Sequence, residues 1–215
     1  MVNRDLTDIR GNYVSEGLDI SSASPDPFVQ FDEWFKEYLE IEHQDPNAMT
    51  LSTCNKDGRP TSRTVLLKSY GNEGFVFFTN YSSKKGKALE ENPNASLLFF
   101  MRQLHRQVRI EGKVEKISLD ESIEYFHSRP RESQLAALAS SQSEVISSRE
   151  DLLSKYESLS RQYDGQEIPL PPSWGGYRLV PDEFEFWQGR ENRLHDRISY
   201  KLENDKNWGI RRLSP

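Results

Sequence analysis

AMTLSTCNKDGRPTSRTVLLKSYGNEGFVFFT, residues 48–79, decides the fold. Runs rich in Val, Leu, Phe and Thr are cut by NKDG (55–58) and YGNEG (70–74), which carry the Asn, Asp and Gly that hairpin turns need. The spacing predicts three short strands, AMTLSTC, TSRTVLLKS and FVFFT. Downstream, NYSSKKGKALEENP predicts a loop and a short helix ending before Pro93, and ASLLFF and HRQVRIEGKVEKI predict two more strands. The first half is therefore a β-meander or barrel. Upstream, SPDPFVQFDEWFKEYLEIE places Asp26 as N-cap and Pro27 at the first helical position, with Phe28, Phe31, Phe35, Tyr38 and Leu39 at helical spacing.

The middle turns helical. Ser118 with Glu121 three residues on forms a capping box ahead of ESIEYFHS, SQLAALASSQSEV reads as a small-residue helix running into a polar loop, and SREDLLSKYESLSRQY carries a further helix. After the proline-rich connector DGQEIPLPPSW, strand-like patterns return in GGYRLVPDEFEFWQG, RLHDRISYK and WGIRRLSP. Because β-material resumes after the helices, the C-terminal strands are expected to complete the first sheet. The expectation is a mainly β chain with peripheral helices (α+β). It comprises a polar N-terminal arm over 1–24 and one domain over 25–215, with a helical insertion at about 118–165 and closing strands at about 174–215.

Composition limits the function. With 11 Phe, 9 Tyr and 4 Trp in 215 residues the chain has large surfaces to bury, and a net charge of −6 argues against a general nucleic-acid binder. A single cysteine, Cys54, excludes an internal disulfide, and its apolar surroundings suggest a buried structural thiol. No apolar run reaches bilayer length and MVNRDLTDIRGNY lacks a signal-peptide apolar region, so a soluble cytoplasmic protein without membrane partners is expected.

HExxH, paired CxxC, GxSxG and GxxxxGK[ST] are absent, and His43, His105, His127 and His195 lie far apart, so no metal is expected. What remains is cationic: Arg63 and Lys68, Lys84 and Lys85, Arg106 and Arg109 around Gln107, Arg129 and Arg131, and the cluster WQGRENRLHDR (187–197). If RLHDRISYK runs as a strand, Arg193, His195 and Arg197 share one face at steps of about 6.8 Å. Such cations either spread in water or face an anion. The odd spacing of Arg63 and Lys68 would point them to opposite faces of a regular strand. Each spot also has a solvated reading, KKGK as an exposed loop and HSRPRES as a helix end.

Taken together, RGNY, SRTVLLK, FFTNYSSKKGK, RQVRIEG, EYFHSRPRESQ, SSQS, SWGGY, EFWQG, RLHDR and RRLSP run from about residue 10 to the end in an order that resembles the pyridoxine/pyridoxamine 5′-phosphate oxidase family. The resemblance implies an FMN-binding split β-barrel of Greek-key type and a homodimer with FMN at the subunit interface. It implies oxidation of pyridoxine and pyridoxamine 5′-phosphates to pyridoxal 5′-phosphate, with O2 giving H2O2. By similarity Arg63, Thr64, Val65, Leu66, Lys68, Phe78, Thr79, Lys84, Lys85, Gln107, Gln142, Ser143, Trp187 and Arg197 fall where the family binds FMN. Lys68, Tyr125, Arg129 and Ser133 fall at the substrate phosphate. Arg193, Leu194 and His195 fall at the substrate ring, Arg193 and His195 as the catalytic pair, and Arg10 and Tyr13 where the N-terminal segment closes over substrate. Departures are Met101 for a frequent Trp, the added charge of Arg102, and Lys84 where Arg is frequent. Rival readings are a flavin reductase on the same barrel and a protein that binds flavin or pyridoxal phosphate without turnover.

Overall fold

In the computed structural model, which describes residues 7, 13, 15, 17–204 and 206–215, the NKDG segment makes the predicted hairpin. Strands β1 (Ala48–Cys54) and β2 (Pro60–Leu66) pair in antiparallel register from Ala48↔Leu66 to Cys54↔Pro60. Gly58 takes φ 78°, a left-handed angle that glycine reaches without steric cost. The next predicted strand is not continuous. Leu67, buried, donates its N–H to the Asn47 carbonyl at 2.8 Å and accepts from Asn47 Nδ2 at 2.8 Å, so the chain leaves β2 and restarts as β3 (Ser69–Gly71). β3 forms a hairpin with β4 (Gly74–Asn80).

Then follow α2 (Lys84–Glu91), β5 (Asn94–Met101), β6 (Arg106–Lys116), α3 (Leu119–Ser128), α4 (Arg131–Ala139), α5 (Arg149–Gln162), β7 (Trp174–Gln188), β8 (Asp196–Leu202) and β9 (Trp208–Leu213), with α1 (Pro27–Ile41) ahead of β1. Hydrogen-bonded neighbours run β2-β1-β5-β6-β7-β4-β3, with β8 on β7 and β9 on β8. The C-terminal β7 thus pairs with the early β4, from Phe75↔Leu179 to Asn80↔Trp174, as expected from the return of β-material after the helices.

The chain divides into two compact units. One comprises residues up to Pro46 with Leu98–Ile110 and Asp182–Pro215. Here Asp26 caps α1 by accepting from the Phe28 N–H at 2.9 Å, and the helix buries Phe31, Trp34 and Phe35. Phe31 meets Phe99 edge-on at 5.0 Å and Trp34 meets Phe186 at 5.3 Å. Each fully buried side chain of this size contributes about 2–3 kcal/mol.

The other unit comprises Asn47–Leu97 and Glu111–Pro181. Its helices surround Phe126, Leu135, Ile168 and Trp174, with Tyr156, Leu159 and Tyr163 packed on that cluster. The Ser118–Glu121 capping box forms at α3, and Ser148 caps α5. Cys54 is half-buried, short of the burial expected of it, because it ends an edge hairpin. Among the described residues no helix is long and apolar enough to cross a membrane.

Candidate functional site

The break at Leu67 shapes the main cavity, of about 790 Å³, in the unit that carries β1–β4. β2 contributes Arg63, Thr64, Val65 and Leu66, the break contributes Lys68, and β4 contributes Phe78 and Thr79. Contrary to the reading of Arg63 and Lys68 as opposed, both line this cavity, because the irregular step at 67–68 cancels the alternation of the strand. Lys85 from α2, Tyr125 and Arg129 from the end of α3, Ser133 from α4, Gln142 and Trp174 complete the wall. Its charged lining residues are Arg63, Lys68, Lys85 and Arg129, with no carboxylate among them.

Lys85 and Arg63 are held by neutral partners. Lys85 Nζ donates to Gln142 Oε1 at 2.7 Å, Thr79 Oγ1 at 2.9 Å and Ser83 Oγ at 3.3 Å. Burial, with Arg63 adding to it, pushes its pKa down to about 8. Arg63 donates to the Leu51 carbonyl, Thr53 and Thr61 at 2.6–3.1 Å. Arg129 lies over the Trp174 ring at 4.8 Å, and its Nη1 is buried without a hydrogen-bond partner. Burial holds the guanidinium pKa of both arginines below its ordinary value. The Phe78 and Tyr125 rings stack at 3.9 Å beside them. Lys84 and Ser143, both exposed, are not among the residues lining this cavity.

The remaining predicted residues lie in the other unit. RLHDR is strand only in its last two residues: Glu191–Arg193 form a turn with Asn192 at φ 55° and Arg193 at φ 62°, and β8 starts at Asp196. Arg193, His195 and Arg197 therefore do not share a strand face. Two successive left-handed residues end extended pairing, and the Arg190 N–H donates to His195 Nδ1 at 3.0 Å instead of to a strand. A backbone N–H only donates, so the neutral His195 ring carries its proton on Nε2. The ring lies 4.7 Å from Trp187, with Tyr13 edge-on at 5.8 Å.

Arg193 and Leu194 are exposed and Gln107 is half-buried. Arg197 donates Nε to Glu185 at 2.8 Å and Nη1 to the Ser214 carbonyl at 2.8 Å. The bond to Glu185 raises its pKa. Glu185, 6% exposed, also faces Arg109 across 2.8 Å. Arg10 lies outside the described residues. Trp174, in SWGGY, and Glu185 were not among the expected site residues; the partners of Glu185, Arg109 and Arg197, lie on other strands.

The cavity fits an anionic, ring-bearing cofactor or substrate, since its orphaned Arg129 Nη1 and acid-free cationic wall match phosphate and its aromatic faces match a planar ring. A solved structure of PhzG from Burkholderia lata 383 in complex with tetrahydrophenazine-1-carboxylic acid is similar, with TM-score 0.86 and 29% identity over 93% of this chain and 98% of that one. A pyridoxamine 5′-phosphate oxidase-related FMN-binding protein from Nostoc punctiforme has TM-score 0.71 at 16% identity, covering 89% of this chain and 100% of that chain. Fold and site thus define a split-barrel protein with a cavity fit for a phosphate-bearing ring.

A family model described as pyridoxamine 5′-phosphate oxidase matches residues 33–161, and one described as pyridoxine 5′-phosphate oxidase C-terminal dimerisation region matches residues 174–215. Proteins called pyridoxine/pyridoxamine 5′-phosphate oxidase from Nostoc sp. and Rippkaea orientalis are 51% and 54% identical, covering 100% and 98% of this chain and 100% of each relative. The chain belongs to the pyridoxine/pyridoxamine 5′-phosphate oxidase family.

Proposed function

We propose that this protein oxidises pyridoxine 5′-phosphate and pyridoxamine 5′-phosphate to pyridoxal 5′-phosphate, as a homodimer carrying FMN at its subunit interface. The observation that carries the proposal is the acid-free cationic cavity with an unpartnered Arg129 Nη1, a receptor for phosphate. FMN, when bound, would supply a two-electron acceptor for the hydride of the substrate carbon, with O2 as the final acceptor giving H2O2. Arg63, Thr64, Val65, Leu66, Phe78, Thr79, Lys84, Lys85, Gln107, Gln142, Ser143, Trp187 and Arg197 are the residues assigned to hold it. Lys68, Tyr125, Arg129 and Ser133 grip the substrate phosphate, a handle remote from the reacting carbon whose binding energy orients the ring. His195 offers its Nε2–H to the substrate ring, and Arg193, Leu194 and Tyr13 are assigned to the same ligand, as is Arg10 by resemblance alone.

The similarity to PhzG supports a second reading, oxidation of a reduced polycyclic carboxylate in the same fold. The purified protein is mixed in air with pyridoxamine 5′-phosphate or with tetrahydrophenazine-1-carboxylic acid, and aldehyde, ammonia and peroxide are assayed. Equal release of the three from the phosphate supports the first reading. Turnover of the phenazine alone would replace it, and a stable yellow protein with no product from either would leave a binding protein.

A further inference from the structure

Ser15, Gly17, Leu18 and Asp19 belong to no helix or strand, yet the Ser15 carbonyl and both backbone groups of Leu18 are paired. The Leu18 N–H donates to Asp196 Oδ2 at 3.1 Å, and the Leu18 side chain is buried. The Ser15 carbonyl accepts from Arg190 Nη1 at 2.5 Å, while Ser15 Oγ donates to the Gly189 carbonyl at 2.8 Å. Asp196 Oδ1 accepts from Arg212 Nη1 at 2.9 Å, and Arg212 Nη2 reaches Asp19 at 2.5 Å. Arg190, Asp196, Arg212 and Asp19 thus alternate in sign along the segment, with Asp196, at 20% side-chain exposure, the least exposed of the four.

Two glycines let the segment approach so closely. Gly17 has φ 97°, and a Cβ there would stand 2.7 Å from Arg190 Nη1 and 3.2 Å from Asp196 Oδ2. A Cβ on Gly189 would stand 2.9 Å from the Tyr13 ring. At the end of this tether Tyr13 lies 4.8 Å from His105, 5.8 Å from His195 and 5.9 Å from Trp187.

We propose that Asp196 is a positioning residue for the substrate step: it fastens the N-terminal segment at Leu18 and thereby holds Tyr13 against His195 and Trp187. This rests on the oxidase reading above for its functional part, because Tyr13 and His195 are there assigned to substrate. The geometric part stands without it. Asp196 itself touches neither reacting atom nor cofactor; it acts through the segment that bears Tyr13.

The test uses the full-length holoenzyme and its Asp196→Ala, Asp196→Asn, Tyr13→Ala and Asp196→Ala/Tyr13→Ala variants. Hydrogen exchange of the peptide covering residues 13–24 is expected to speed up about tenfold in Asp196→Ala, the equivalent of one lost hydrogen bond, while peptides of α4 and α5 keep their wild-type rates. Asp196→Asn, which keeps an acceptor without the charge, should fall between the two and serves if Asp196→Ala does not fold. With pyridoxamine 5′-phosphate, Asp196→Ala and Tyr13→Ala should each raise KM more than they lower kcat, and the double variant should be no worse than the more severe single one. Unchanged exchange in both Asp196 variants, or KM effects that multiply in the double variant, would overturn the proposal. If the wild type does not turn over pyridoxamine 5′-phosphate, the oxidase reading fails while the exchange rates still decide whether Asp196 fastens the segment.

Discussion

Arg129 closes α3 as its C-cap and leaves Nη1 buried and unpartnered, an arrangement that costs free energy until an anion arrives. Arg129→Ala should therefore raise KM for pyridoxamine 5′-phosphate by about 10- to 100-fold, one charge-assisted bond, and leave FMN bound. Steady-state kinetics with flavin titration checks this; flavin loss at unchanged KM would contradict it. Lys85 gives a pH test. In the free protein its pKa is held near 8 by burial, below the ordinary lysine value of 10.5. The folded state therefore binds fewer protons than the unfolded one between those values, and this group's contribution to stability rises with pH across that window. A phosphate beside Lys85 favours its charged form, so FMN binding takes up a proton and FMN affinity should fall as pH rises above about 8. Lys85→Arg should flatten that fall. His195 and Arg197 are positioned without a shared strand face: a turn N–H holds one ring and Glu185 holds the other side chain. Arg197→Trp should lower FMN affinity and turnover together, whereas His195→Asn should keep the flavin and lose substrate affinity or reduction rate. The residue types were legible in the sequence. Their orientations were not: Asn192 is a residue type that tolerates φ > 0, but the second left-handed angle, at Arg193, is no preference of its side chain.

At the scale of elements, signals contained in a few neighbouring residues were readable. The capping box at Ser118–Glu121, the N-cap at Asp26 and the NKDG hairpin each depend on contacts within about a turn, and each forms as the spacing predicts. The division of TSRTVLLKS at Leu67 was hidden because Asn47, twenty positions earlier, takes both backbone groups of Leu67. Gly74 is the most exacting position of the β3–β4 hairpin. It has φ 132°, and a Cβ there would stand 2.1 Å from the Leu179 carbonyl oxygen of the paired β7. Gly74→Ala should destabilise the protein by at least about 2 kcal/mol, through both the dihedral strain and the forced separation of β4 from β7. Thermal or urea unfolding checks this; a stability equal to wild type would mean the β4–β7 ladder tolerates a side chain there.

For the whole molecule, the order of motifs along the chain was legible and identified the family, while the number of chains that build one site was not. The match of residues 174–215 to a C-terminal dimerisation region supports a homodimer, expected as a dimer in sedimentation velocity. If each FMN site draws on both chains, mixing inactive Lys85→Ala and Arg197→Ala chains under refolding conditions should restore activity on the order of a quarter of wild type, from the heterodimers with one intact site. A dimer that shows no complementation would place Lys85 and Arg197 of one site on the same chain. Whether the cationic cavity receives a phosphate as the handle for oxidation is read from kcat/KM for pyridoxamine 5′-phosphate against that for unphosphorylated pyridoxamine on the same holoenzyme. If Lys68, Arg129, Tyr125 and Ser133 grip the phosphate as proposed, the phosphorylated substrate should be preferred by at least about a hundredfold. Equal values for the two would contradict it.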